Sequence, residues 1–164
     1  MRVLIVDDES LIRMDLRDII ESCGHEVVAE GTNGVEAIKL CKEYKPDIVL
    51  MDVKMPELDG IEAARQIGFH HEAPVVLLTS YSQQDLINKA RESGVYGYLI
   101  KPVREEQLVP TLEMALGRYH SDAELREKMA ELEQSLEDRK IIQKGTGILM
   151  ELYSISCLLY TSPS

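Results

Sequence analysis

Five short runs of Val, Ile and Leu, at residues 2–6, 26–29, 47–51, 75–79 and 95–100, recur along this chain, and most of the stretches between them carry apolar residues at helical spacing. That alternation leaves few folds open. Strands apolar on both faces need cover on both sides, and a strand pairing in parallel with the next needs a crossover long enough to be a helix. Five repeats of strand then helix predict an α/β fold, a mainly parallel, doubly wound five-stranded sheet with right-handed crossovers. In the first repeat Ser10 is the candidate helix cap. Ile12, Leu16, Ile19, Ile20 and Cys23 form one stripe, and Gly24 stands where a left-handed residue ends a helix. The second helix uses Val35, Ala37, Ile38 and Cys41, and the fourth ends at Gly94.

Open sheets of this kind gather ligands at the carboxyl ends of their strands. In RVLIVDDE, residues 2–9, the apolar run Val3–Val6 passes directly into Asp7, Asp8 and Glu9. Like charges at the exit of a buried strand raise one another's cost of ionisation, so a positive group belongs among them. Asp52 ends the third run (DIVLMD), Thr79 and Ser80 end the fourth (PVVLLTS), and Lys101 follows the fifth (YGYLIKP). Carboxylate oxygens are the ligands Mg2+ takes, usually one or two with waters. Beside such a cation a carboxylate can act as a nucleophile toward phosphorus, since positioning and charge neutralisation carry most of phosphoryl transfer. Asp52, alone on the central strand, is the candidate nucleophile. Thr79 and Lys101 suit the oxygens of the transferred group.

VDDE, MDVKMPELDG, LLTS and YLIKP, in that order and register, resemble the receiver domain of two-component response regulators over about residues 1–120. The resemblance implies a flavodoxin-like receiver with Asp52 as phosphoacceptor, and a Mg2+ site made by Asp7, Asp8, Asp52 and the backbone carbonyl of Lys54. It also implies phosphate contacts from Thr79 and Lys101, a rotamer-switching Tyr98, a cis peptide at Pro102 and a sensor histidine kinase as partner. Phosphorylation would then rearrange the loops after the fourth and fifth strands and create a homodimerisation face.

From Arg104 the pattern stays helical. Leu125, Met129, Leu132 and Leu136 follow a 4-3-4 spacing with charged residues between them, the seam of a short coiled coil at 121–138. Two heptads are marginal alone and need help from a flanking module. Residues 132–150, LEQSLEDRKIIQKGTGILM, resemble the start of the ANTAR module, a three-helix element that binds RNA hairpins and prevents transcription termination. Leu136, Arg139, Ile142, Gly147, Ile148, Leu149 and Met150 match that pattern, whereas Gly145 and Thr146 depart from it. Arg139, Lys140 and Lys144 are the candidate RNA contacts, although no basic stripe emerges among the surrounding acids. The module, 139–164, reads as truncated. CLLYTSPS, residues 157–164, has no helical stripe and is expected to be non-native read-through.

The whole chain agrees with a regulator. Its 164 residues and 45% hydrophobic content support one domain plus an appendage, and its net charge of -11 argues against a broad phosphate-backbone surface. Cys23, Cys41 and Cys157 make neither an even disulfide set nor a metal-ligand spacing, which fits a reducing cytoplasm. No apolar run approaches the roughly 20 residues that cross a bilayer, and no signal peptide begins the chain. His25, His70, His71 and His120 are scattered. The chain is therefore expected not to be an enzyme in the turnover sense. Its main rival reading is a stand-alone receiver acting through protein contacts only. A Mg2+-dependent phosphatase is disfavoured because Lys54 stands where a second acid would follow Asp52, and no helix-turn-helix pattern points to DNA.

Overall fold

A computed structural model describes residues 1–70, 72–80 and 94–146, the side chains of residues 138–146 excepted. The elements are β1 (Arg2–Val6), α1 (Ser10–Ser22), β2 (Glu26–Gly31), α2 (Gly34–Tyr44), β3 (Ile48–Asp52), α3 (Gly60–Phe69), β4 (Val75–Thr79), β5 (Val95–Ile100) and α4 (Glu105–Thr146). The predicted helix between β4 and β5, His71, and everything from Gly147 onward, Cys157 included, lie outside the described residues.

All four strand pairings are parallel and the strand order is β2-β1-β3-β4-β5. Successive residues of a strand face opposite sides of the sheet, so the apolar runs feed two cores. Leu4, Val6, Val49, Met51, Val75 and Leu77 pack with Ala37 and Cys41 of α2 and Ala63, Ala64 and Ile67 of α3. Val3, Ile5, Ile48, Leu50, Val76 and Leu78 pack with Leu16 and Ile20 of α1 and Leu108, Leu112 and Ala115 of α4. This is the predicted flavodoxin-like architecture, and it puts the reversal of strand order between β1 and β3.

Three local expectations are corrected. Helix α1 begins at Ser10 itself, Glu9 occupies the cap position, and no side chain caps it. The Asp7 carboxylate instead accepts the Glu9 N–H at 2.9 Å. Val35 is 52% exposed because it lies just outside the arc α2 turns to the sheet, and Cys23 is exposed because α1 ends at Ser22, one residue before it. Burial on both faces holds for β3, β4 and nearly all of β1. The edge strands β2 and β5 stay partly exposed, having a neighbour on one side only.

Helix starts are well specified elsewhere. Asn33 accepts the Glu36 N–H at 2.8 Å at the start of α2, and Asp59 accepts the Glu62 N–H at 2.8 Å at the start of α3. Gly24, at φ +85°, follows α1 in the left-handed region that glycine adopts without steric cost. By contact the chain divides between His120 and Ser121. The first unit contains the sheet and both cores. In the second, Leu125, Met129, Leu132 and Leu136 are each about half or more exposed on the helix.

Candidate functional site

The β1 and β3 strands deliver their last residues to the crevice where the strand order reverses. Asp7 follows β1 with its N–H donating to the Gly31 carbonyl at 3.1 Å, and its side chain is completely buried. Asp52 is the last residue of β3 and only 7% exposed. Asp8 is exposed beside them. One carboxylate oxygen from each of the three lies within 4.8 Å of the others. Such a cluster of hard, anionic oxygens fits a divalent cation of the Mg2+ kind.

Lys101 closes the cluster from β5. Its N–H donates to the Thr79 carbonyl at 2.8 Å, which extends the β4 pairing by one residue. Its ammonium then reaches Asp7 Oδ2 at 3.0 Å and Asp52 Oδ2 at 3.2 Å. The Lys101–Pro102 peptide is cis. Burial pushes the Asp52 carboxyl above the usual carboxylate range; the Lys101 charge opposes that shift and the Asp7 charge adds to it. For Lys101, burial would lower the ammonium, but its hydrogen bond to Asp7 and the fields of Asp52 and Asp7 outweigh that and raise it. Three carboxylates around one ammonium leave an excess of negative charge that a cation would neutralise.

The structure thus brings together Asp7, Asp8, Asp52 and Lys101. Thr79 stands at the same edge, one residue beyond Leu78, the register partner of Asp52. It is fully buried, and its hydroxyl donates to the Ser80 carbonyl at 3.1 Å. Lys54 is exposed on the loop after β3. Tyr98 pairs in register with Leu77 and packs, half-buried, against the core under α2 and α3.

Two residues that sequence reasoning passed over build this edge. The Gly60 N–H donates to the Val53 carbonyl at 2.8 Å, and a Cβ at Gly60 would sit 2.1 Å from the Asp52 carbonyl oxygen. The Asp-Gly pair ending MDVKMPELDG was the available signal. Arg13 donates through Nη1 to the Asp7 carbonyl oxygen at 2.5 Å. No sequence signal ties a residue on α1 to that carbonyl.

A parallel sheet with order 2-1-3-4-5, carrying three clustered carboxylates and a lysine at its switch point, is the arrangement of a signal-receiver class of protein. The response regulator receiver domain family matches residues 3–113, and the chain belongs to that family. The transcriptional regulatory protein PdtaR of Mycobacterium tuberculosis is 43% identical over 155 residues, 94% of this chain and 76% of that protein. The chemotaxis protein CheY of Thermotoga maritima is 42% identical over 112 residues, 68% of this chain and 93% of that one. Among solved structures, the signal receiver domain of a modulated diguanylate cyclase from Desulfovibrio desulfuricans superposes with a TM-score of 0.69 at 33% identity, covering 74% of this chain and 97% of that one. The chain is a receiver of the two-component kind and a regulatory protein rather than an enzyme. No helix among the described residues is long and apolar enough to cross a membrane.

Proposed function

We propose that this chain is a phosphorylation-switched response regulator that takes a phosphoryl group from the phosphohistidine of a sensor kinase onto Asp52. The observation that carries this reading is the setting of Asp52, a nearly buried carboxylate 3.2 Å from the Lys101 ammonium, with Asp7 and Asp8 oxygens within 4.8 Å. An oxygen of Asp52 attacks phosphorus in line. The P–N bond to the kinase histidine breaks, its electron pair leaves with the imidazole, and the phosphoryl group is then held as an acyl phosphate. Asp7, Asp8, Asp52 and the Lys54 backbone carbonyl would hold Mg2+, which when bound would supply neutralisation of charge on the transferring oxygens.

Lys101 exchanges its Asp52 contact for a phosphoryl oxygen, and the Thr79 hydroxyl turns from the Ser80 carbonyl to another. The new group brings roughly -1.5 to -2 charges and three acceptor oxygens, enough to draw both residues in and reset the loops after β4 and β5, with Tyr98 changing rotamer as Thr79 moves. The domain boundaries follow the sequence: receiver to residue 120, coil over 121–138, output module from 139. The apolar stripe Leu125, Met129, Leu132 and Leu136 supports homodimerisation through the coil. RNA-hairpin binding and antitermination are supported by the ANTAR-like residues and by a likeness to a transcriptional regulator that runs well past the receiver. Its setting is the cytoplasm.

Intact mass spectrometry tests the core of this reading. With Mg2+ and acetyl phosphate the chain gains one phosphoryl group and Asp52→Ala gains none; an unmodified wild type, or a modified Asp52→Ala, overturns it. A gel-shift with structured RNA on the full gene product separates RNA output from output through protein contacts alone.

A further inference from the structure

Arg13 sits in the first turn of α1 with its side chain only 17% exposed, and it reaches back to the junction between β1 and α1. Its Nη1 donates to the Asp7 carbonyl oxygen at 2.5 Å while its Nε pairs with Glu30 Oε1 on β2 at 3.1 Å. The other Glu30 oxygen accepts from Arg17, one turn further along α1, whose Nε is 2.8 Å away. The guanidinium is therefore held from behind. The carbonyl it grips belongs to the peptide plane that joins Asp7 to Asp8.

That plane has a geometric consequence. Turning it changes ψ of Asp7 and φ of Asp8 together, and so changes the angle between their side chains. Asp7 is already committed, with Oδ1 accepting the Glu9 N–H and Oδ2 accepting the Lys101 ammonium. Asp8, exposed and one peptide further on, takes its direction from the plane. A narrow range of angles lets both carboxylates converge with Asp52 on one cation.

We propose that Arg13 is a positioning residue for the Mg2+ site: by fixing the Asp7–Asp8 peptide plane, and being fixed in turn by Glu30, it sets the convergence of the two acids. The inference rests on the reading of Asp7, Asp8 and Asp52 as that site. Two effects of Arg13 on a bound cation have opposite signs, which makes the role measurable. As a charge, Arg13 repels the cation, so its removal would tighten binding. As a support, its removal loosens the ligands and weakens binding. Solvent and salt screen the first effect, whereas groups that orient metal ligands typically matter by 10- to 100-fold in affinity.

The test is calorimetric titration of MgCl2 into the full chain, its Arg13→Ala, Arg13→Lys and Glu30→Gln variants, each checked for a cooperative thermal transition. Arg13→Ala is expected to bind Mg2+ about tenfold more weakly. Arg13→Lys keeps the charge but lacks the planar fork that serves two acceptors at once, so it too binds more weakly. Glu30→Gln, which keeps Arg13 but slackens it, weakens binding by less. Excess Mg2+ restores acetyl phosphate labelling of Arg13→Ala toward the wild-type rate, which a collapsed site would not allow. If Arg13→Ala binds Mg2+ as tightly as the wild type or more tightly, the positioning role is wrong. Should Arg13→Ala fail to fold, Arg13→Lys decides, because it keeps the charge and loses only the fork: wild-type affinity there overturns the positioning role. A wild type that binds no Mg2+ overturns the metal-site reading and this inference with it.

Discussion

At the scale of single residues, Lys101 carries the largest electrostatic burden. Among the described residues it is the one cation ion-paired with the carboxylates of a completely buried Asp7 and a nearly buried Asp52. Removing one partner of a buried pair strands the other charge, so Lys101→Ala is expected to cost about 3 kcal/mol in urea unfolding with chelator present. With saturating Mg2+ the loss shrinks, because the cation supplies the missing positive charge. An equal loss in both buffers would show that the ammonium does not serve as a counter-charge.

The two described cysteines differ in burial. Burial pushes the Cys41 thiol up to about 12, while Cys23 is exposed. A raised thiol keeps its proton where the unfolded chain, near about 8.5, has lost it, so Cys41 contributes stability at neutral pH that falls away as pH climbs from about 9 toward 12. In a Cys157→Ser chain at pH 8.5, a thiol reagent should label Cys23 at once and Cys41 only on unfolding. Simultaneous labelling would contradict the buried placement of Cys41.

At the scale of elements, the segment from β3 to α3 is the tightest joint near the site. Gly60 sits against the carbonyl of Asp52, and Gly34 of α2 sits against the carbonyl of Leu58 in the same loop, where a Cβ would come within 2.4 Å. Backbone cannot give way as a flexible side chain can. Gly60→Ala is expected to destabilise by about 3 kcal/mol, the upper part of the overpacking range, and to slow Asp52 phosphorylation by moving the strand end that carries it. Urea midpoints and labelling rates check the two effects separately. A wild-type midpoint would mean that the loop yields.

The element scale also separates what was readable from what was not. Ile12, Leu16, Ile19 and Ile20 were legible as the buried stripe of α1 because 3.6-residue periodicity is a local property. Val35 and Cys23 were assigned to core stripes by the same spacing and lie outside them: orientation against the sheet limits the buried arc of α2, and α1 stops one residue before Cys23. Ser10 looked like a cap by residue type, yet a carboxylate three residues earlier took the Glu9 N–H.

At the scale of the whole molecule, the proposed dimer rests on the exposed stripe of α4. Leu132 is 64% exposed, so Leu132→Glu should leave the urea midpoint of the receiver unchanged while abolishing the phosphorylation-dependent dimer. Sedimentation velocity with and without acetyl phosphate checks this. A variant that still dimerises on phosphorylation would move the interface off the coil.

By itself the sequence determined the strand and helix alternation, the parallel class of sheet, and the four chemical groups Asp7, Asp8, Asp52 and Lys101 at its carboxyl edge. Those follow from periodicity and from residue type at strand ends, both local. Only the tertiary structure decided that Arg13 holds the Asp7 carbonyl, that Gly60 must lack a side chain, and that Lys101 pairs with Asp7 across 94 residues of chain. The lysine contact depends on the β1–β3, β3–β4 and β4–β5 pairings that lay distant strand ends side by side, and the other two on how the β1–α1 and β3–α3 junctions fold back, since no local pattern encodes where a carbonyl oxygen will point.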